Sequence, residues 1–133
     1  MILKPVTRLL LGILLLTSVE TFGQSSATEF VASTSYPPVV MTQQKGIEVL
    51  YLQGSIGKSA AFSLIFKNTT NQMVTFRWVL KDNKEHVVYS NKTTQVMGGQ
   101  ALDKDNRSDN EKMKFSFVLS DGMTANDYKI EIR

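Results

Sequence analysis

The sequence contains no cysteine, and this absence removes several structural and chemical options. No disulfide can hold the fold together, no thiol can act as a nucleophile, and no lipid can be attached through an N-terminal cysteine. Exported proteins of modest size often rely on such bridges. This chain must therefore be stabilised by the packing of its apolar residues alone.

Histidine is nearly as scarce, since His86 is the only one. A Ser-His-Asp triad would have to use this residue, and its neighbours favour an exposed turn instead. A zinc site built from histidine and cysteine is excluded, because one histidine and no cysteine cannot supply its ligands. No pair of carboxylates stands out for glycoside hydrolysis. We therefore predict no catalytic residue, no metal site and no cofactor.

An acidic stretch from Asp103 to Glu111 invites a calcium interpretation. The EF-hand spacing, however, would place Arg107 and Ser108 where that motif needs an oxygen ligand and the turn glycine. Nothing in the stretch can bury enough apolar surface to offset its ordering cost. A solvated loop is the preferred interpretation, with weak calcium binding as the alternative.

The chain begins with the features of a secretory signal peptide. Lys4 and Arg8 precede the apolar run Leu9–Leu16, and Thr21 and Gly23 supply small residues for a cleavage site. The apolar core spans about 8–10 residues, whereas a membrane-spanning helix needs about 20. We expect residues 1–23 to be removed and no transmembrane segment to remain. An uncleaved anchor is the alternative.

The predicted mature chain has the length of a single domain. The sequence carries 15 basic and 12 acidic residues, and removing Lys4, Arg8 and Glu20 leaves 13 and 11, a net charge of +2. This charge is too small to indicate nucleic-acid binding. An exported chain without cysteine is typical of bacterial periplasmic or secreted proteins.

Residues 24–45 are rich in serine, threonine and alanine and are interrupted by Pro37-Pro38. Because proline cannot donate to the interior of a sheet, we predict a flexible tether or an edge strand. The chain stops at Arg133 directly after its last predicted strand, so we expect an unpaired edge. We predict that Phe30–Met41 covers an edge, in its own molecule or a neighbour, and that a partner strand competes with it.

The strongest pattern lies between Phe62 and Leu80, where apolar residues alternate on both sides of the polar bend 68–71. Alternation with period two predicts two half-buried strands, and the bend predicts a β-hairpin with Trp78 in the core. Further strands are predicted at Ile47–Leu52, Val87–Tyr89, Ala101–Leu102, Met113–Leu119 and Tyr128–Ile132. No helical period interrupts them. Residues 46–133 are therefore predicted to be all-β, a two-layer antiparallel sandwich of six or seven strands.

Two residues resemble landmarks of immunoglobulin-like domains. Trp78 is placed like the core tryptophan of strand C, and Tyr128 opens the last strand as a tyrosine-corner residue would. The resemblance implies an immunoglobulin-like sandwich. The chain departs from the antibody pattern because it lacks the cysteine pair, and a closing seventh strand is either missing or supplied elsewhere.

A second resemblance concerns function. The turn-and-strand unit Val96–Leu102, the run Tyr89–Ala101 and the segment Asp127-Tyr128-Lys129-Ile130 resemble the periplasmic inhibitors of curli amyloid assembly. The resemblance implies a non-enzymatic, chaperone-like protein that keeps amyloid subunits soluble during export. The alternatives are a structural or adhesin-associated sandwich domain and, more remotely, a small hydrolase.

Basic residues alternate outward on several predicted strands. They are Arg77, Lys81, Lys112, Lys114 and Lys129, accompanied by Arg133 at the end of the chain. Together they predict a basic sheet face that binds an acidic, extended protein partner. The alternative is that these charges only keep exposed faces and edges soluble.

Overall fold

The computed structural model describes residues 29–107 and 112–133. The predicted signal peptide and the stretch 108–111 of the predicted acidic loop lie outside the described residues. The strands are β1 (Phe30–Ala32), β2 (Val39–Gln44), β3 (Ile47–Ile56), β4 (Ser59–Asn68), β5 (Val74–Lys81), β6 (Val87–Val96), β7 (Ala101–Leu102), β8 (Ser116–Val118) and β9 (Lys129–Ile132). A short 3-10 helix, Ala125–Asp127, precedes β9.

The strands form two antiparallel sheets. In sheet one, β3 and β4 are the central pair, β1 and β2 pair with successive stretches of β3, and β7 and β8 pair with successive stretches of β4. In sheet two, β5 lies between β9 and β6. The strands described thus occupy four positions in one sheet and three in the other. The predicted two-layer antiparallel sandwich is confirmed, while its immunoglobulin type stays a prediction.

The predicted hairpin between Phe62 and Leu80 is wrong, although both of its strands exist. β4 pairs with β3 over its full length, and β5 pairs with β6 and β9 in the other sheet. Alternation reports which face of a strand is buried, but not which strand lies beside it. Two strands facing each other across a core show the same pattern as a hairpin. The bend 68–71 is therefore a crossover between sheets.

Asn68 holds this crossover in place from a fully buried position. Its Nδ2 donates to the carbonyl oxygens of Gln72 and Val96, at 2.7 and 2.8 Å. Its Oδ1 accepts from the backbone N–H and the hydroxyl of Thr70, at 2.8 and 2.7 Å. The amide group is thus satisfied on both sides, as a buried polar group must be. The side chain ties the end of β4 to the end of β6.

Two glycines fix the path of sheet one. Lys45 and Gly46 both have positive φ, 52° and 82°, which is the conformation of the tight turn that joins β2 to β3. The predicted strand Ile47–Leu52 continues to Ile56, so Gly54 lies inside β3. A Cβ atom there would stand 2.1 Å from the carbonyl oxygen of Val31. The missing side chain lets the backbone of β1 approach β3.

The core lies between the two sheets and centres on Trp78. This side chain is fully buried, and its ring centroid lies 4.9 Å from that of Phe66 in sheet one and 5.2 Å from that of Tyr89. Its Nε1 donates to Oγ1 of Thr94 at 3.2 Å. The alternating apolar residues are buried as period two predicts, except Val74, which is half-buried; they are Phe62, Leu64 and Phe66 on β4 and Phe76, Trp78 and Leu80 on β5.

Other predicted strands differ in their lengths. The short strand at Val87–Tyr89 continues to Val96 as β6. The strand Met113–Leu119 is regular only in β8, although Met113, Phe115 and Phe117 are buried as predicted. The hydroxyl of Tyr128 accepts a hydrogen bond from the backbone N–H of Ser120 at 3.1 Å. That contact is of the kind a tyrosine corner makes.

Candidate partner-binding surface

The outward face of sheet two carries three of the five predicted partner-binding residues. Lys81 and Lys129 lie directly opposite each other in the register of β5 and β9. Arg77 and Arg133 exchange both of their backbone hydrogen bonds, at 3.0 and 2.8 Å. Because side chains alternate along a strand, these four cations share one face. We call them the basic row.

Two carboxylates lie among the cations of the basic row. Glu131 accepts from Lys81 and from Arg133, each at 2.8 Å, and Glu85 pairs with Lys129 and lies 3.8 Å from Lys81. The hydrogen bonds from Lys81 and Arg133 lower the pKa of Glu131 to about 2. The hydrogen bond that Lys129 donates to the carboxylate of Glu85 raises the pKa of Lys129. Two of the four positive charges therefore remain unbalanced.

Lys112 and Lys114 do not belong to the basic row, because they precede β8 in the chain and β8 belongs to sheet one. Lys114 places its Nζ 5.1 Å from the ring centroid of Phe117, and its backbone N–H donates to the hydroxyl of Tyr89 at 3.0 Å. The structure therefore divides the predicted basic face into two separate groups. Whether either group contacts a partner stays a prediction.

The strand β9 has one edge against β5 and one edge directed away from it. The backbone of Arg133 bonds to Arg77 in β5, so the backbone groups of Ile130 and Ile132 point to the other side. No strand among residues 29–107 and 112–133 pairs with β9 on that side. An edge of this kind offers donors and acceptors to another polypeptide.

The side chain of Gln44 occupies part of this edge. Its Nε2 donates to the carbonyl oxygen of Ile130 at 2.8 Å, and its Oε1 accepts from the N–H of Ile132 at 3.0 Å. The same Nε2 also donates to Oγ1 of Thr42 at 2.9 Å. The carboxamide thus replaces part of a neighbouring strand. Sequence analysis missed this contact because the two partners lie far apart in the chain.

The other sheet edges are less regular than β9. The pairing of β6 with β5 has two irregularities, one near Phe76 and one near Leu80, and the pairing of β2 with β3 shifts between Val40 and Thr42. β1 and β8 have only three residues each. Bulges and short edge strands discourage the addition of another strand. β9 pairs with β5 without a register shift.

The outward face of sheet one is more apolar than the sequence indicated. Leu50 lies opposite Val40 on one side and Ile65 on the other, so all three share the face that points away from the core. Val40 is 53% exposed. The run Val49–Leu52 is almost continuously apolar, so its two faces could not be told apart from sequence. This face is a second candidate contact surface.

His86 and Asp82 lie together in the turn between β5 and β6. Oδ1 of Asp82 accepts from the backbone N–H groups of Lys84 and His86, at 2.8 and 2.9 Å. The N–H of His86 is the main cause that lowers the pKa of Asp82. The imidazole Nδ1 lies 3.3 Å from Oδ2 of Asp82, and the histidine side chain is 73% exposed. The pair closes a turn.

In the described part of the acidic loop, the acidic side chains also form local hydrogen bonds that stabilise a turn. Oδ1 of Asp103 accepts from the backbone N–H groups of Asp105 and Asn106, at 2.8 and 2.7 Å, and Lys104 pairs with Asp105. Asp109 and Glu111 lie outside the described residues. Within the described residues, no cluster of three or more histidine, cysteine or acidic side chains is placed to hold a metal ion.

Comparisons with known proteins give no relative: no family model, no curated protein and no solved structure matches this chain. In the part of the chain that the structure describes, no helix has the length and apolar character needed to span a membrane. The candidate surface therefore has to be interpreted from its own residues.

Proposed function

We propose that this chain is an exported, non-enzymatic module that binds an extended polypeptide, and that it acts as a chaperone-like inhibitor of curli-type amyloid assembly. The observation that carries the proposal is the edge of β9, which no described strand covers on its outer side. Export to the periplasm or the medium rests on Lys4, Arg8 and the apolar run Leu9–Leu16.

The mechanism follows from the chemistry of amyloid growth. A fibril grows when an extended segment adds to the exposed edge of a sheet. A soluble domain that offers its own sheet edge can bind the same segment and withhold it from the fibril. The unbalanced positive charge of the basic row lies beside this edge and favours a partner with acidic side chains.

Assembly of a purified curli subunit, followed by thioflavin fluorescence, tests the proposal. Substoichiometric amounts of the protein should lengthen the lag phase. Added salt should weaken the effect as the Debye length falls below about 8–10 Å. The double variant Arg77→Glu, Lys129→Glu should also weaken it. The matched control, Lys58→Glu with Lys92→Glu, reverses two charges outside the basic row and should not.

An unchanged lag phase at equimolar protein would contradict the inhibitor role and favour the structural or adhesin-associated alternative. Inhibition that ignores both salt and charge reversal would remove the basic row from the proposal. The remote hydrolase alternative depends on His86, because it is the only histidine. His86→Ala should leave inhibition unchanged under our proposal. Loss of inhibition in this variant, with the fold intact, would argue against the proposed non-enzymatic role.

A further inference from the structure

We infer that the outer edge of β9 is a strand-addition site that the carboxamide of Gln44 keeps closed until a partner displaces it. This inference rests on the proposed function, and it specifies where the extended segment binds. Gln44 bonds to Ile130 and Ile132, whose backbone groups point away from β5. An incoming strand would use these same groups.

The orientation of the carboxamide is fixed by its partners. Nε2 has two acceptors, Oγ1 of Thr42 and the carbonyl oxygen of Ile130, while Oε1 faces the N–H of Ile132. A flipped amide would set its nitrogen against the N–H of Ile132 and its oxygen against the carbonyl oxygen of Ile130. The side chain is therefore a specific cap. It satisfies only one carbonyl and one N–H of the strand, so a full partner strand has more bonds to gain.

The edge also determines the kind of segment that fits. Side chains of an added strand alternate between the interior and the outer face of sheet two. On the inner side they would face β2, which lies near β9 and whose Val39 and Met41 are half-buried against the core. On the outer side they would lie beside Lys129, Glu131 and Arg133, which together carry a net positive charge. The site therefore suits an extended segment in which apolar residues alternate with acidic ones.

A partner that binds the β9 edge must first displace the carboxamide of Gln44, and this displacement costs free energy. In the free protein two hydrogen bonds must break before a strand can pair with β9. Removing the carboxamide removes this competition without changing the backbone groups that bind the partner. Loss of a side chain should therefore strengthen binding, which is the reverse of what a residue in direct contact with the partner would do.

The test uses a peptide with blocked termini in which valine and glutamate alternate. Its length is roughly six residues, which is usual for a strand. Gln44→Ala should bind the peptide more tightly by roughly tenfold, because two net hydrogen bonds no longer oppose it. Gln44→Asn, whose shorter side chain cannot reach both backbone groups, should show an increase of the same sign. Gln43→Ala, an exposed neighbour on the same strand, is the matched control and should bind like the unmodified protein.

Several outcomes would overturn the inference. Peptide binding that is equal in Gln44→Ala, Gln44→Asn and the unmodified protein would show that Gln44 does not close the β9 edge, whereas the inhibitor role is decided separately by the lag phase of amyloid assembly. Loss of peptide binding in Val40→Lys would move the site to the outer face of sheet one. Dimerisation of Gln44→Ala in sedimentation experiments would identify a second copy of the chain as the occupant. Inhibition of amyloid assembly without any peptide binding would exclude strand addition.

Discussion

Replacing Asn68 by alanine should be among the most damaging polar substitutions in this protein. The side chain is fully buried at the point where the chain leaves sheet one for sheet two. Alanine removes two hydrogen bonds donated to carbonyl oxygens and two accepted from Thr70. The carbonyl oxygen of Gln72 keeps a hydrogen bond from the hydroxyl of Thr70 at 2.9 Å, whereas the carbonyl oxygen of Val96 loses its bond from the Asn68 side chain.

The magnitude follows from where those groups lie. The hydrogen bond to Val96 is buried, so its carbonyl oxygen loses its partner at a cost of about 1–3 kcal/mol. The contacts with Gln72 and Thr70 are partly exposed, and water replaces them at about 0.5–1.5 kcal/mol each. The expected loss is about 2.5–7.5 kcal/mol, against a typical total of about 5–15 kcal/mol.

Urea unfolding followed by tryptophan fluorescence measures this loss, because Trp78 is the only tryptophan. Asn68→Asp should destabilise the protein at least as much, since it sets a carboxylate oxygen against two carbonyl oxygens. Asn71→Ala is the matched control in the same crossover, and as an exposed residue it should stay within about 0.5 kcal/mol. A loss below about 1 kcal/mol in Asn68→Ala would refute the reasoning.

Three further substitutions test separate parts of the fold. Trp78→Ala should cost about 3–5 kcal/mol, and a melting temperature lowered by only a degree or two would contradict its place in the core. Glu131 has a folded pKa below its ordinary value of 4.5, so its ionised form stabilises the protein above that pH, and this stabilisation is lost as the pH falls towards about 2. Glu131→Gln should flatten this part of the stability profile, and an unchanged acid profile would show that the ion pairs contribute nothing. Gly54→Ala should push β1 away from β3, so proteolysis before Val39 should accelerate; unchanged cleavage would contradict the close approach.

The burial pattern of the strands was predictable because it is a local property. Alternation identified the buried faces of β4, β5 and β9, where Ile130 and Ile132 are 3% and 4% exposed. Pairing was not predictable in the same way. Whether the strand ending at Asn68 turns back or crosses to another sheet depends on contacts with Val96, 28 residues further along the chain.

The candidate surface was predictable only in part, for a related reason. Alternation placed Arg77, Lys81 and Lys129 on outward faces, and the pairing of β5 with β9 brings them together. Lys114 shows the same local pattern but precedes a strand of the other sheet. The contacts of Gln44 with Ile130 and Ile132 depend on the position of β2 beside β9. No local sequence pattern predicts that position. Long-range geometry therefore decides which predicted residues share a site.

Residue-resolved amide hydrogen exchange, with and without a saturating valine-glutamate peptide, tests most directly whether the β9 edge accepts a strand. The N–H of Ile130 points away from β5, in the direction from which the peptide would approach. Our account predicts that its exchange slows markedly on binding, while amides in β6 keep their rates. Peptide binding that leaves Ile130 unchanged, or that protects β6 instead, would contradict the account.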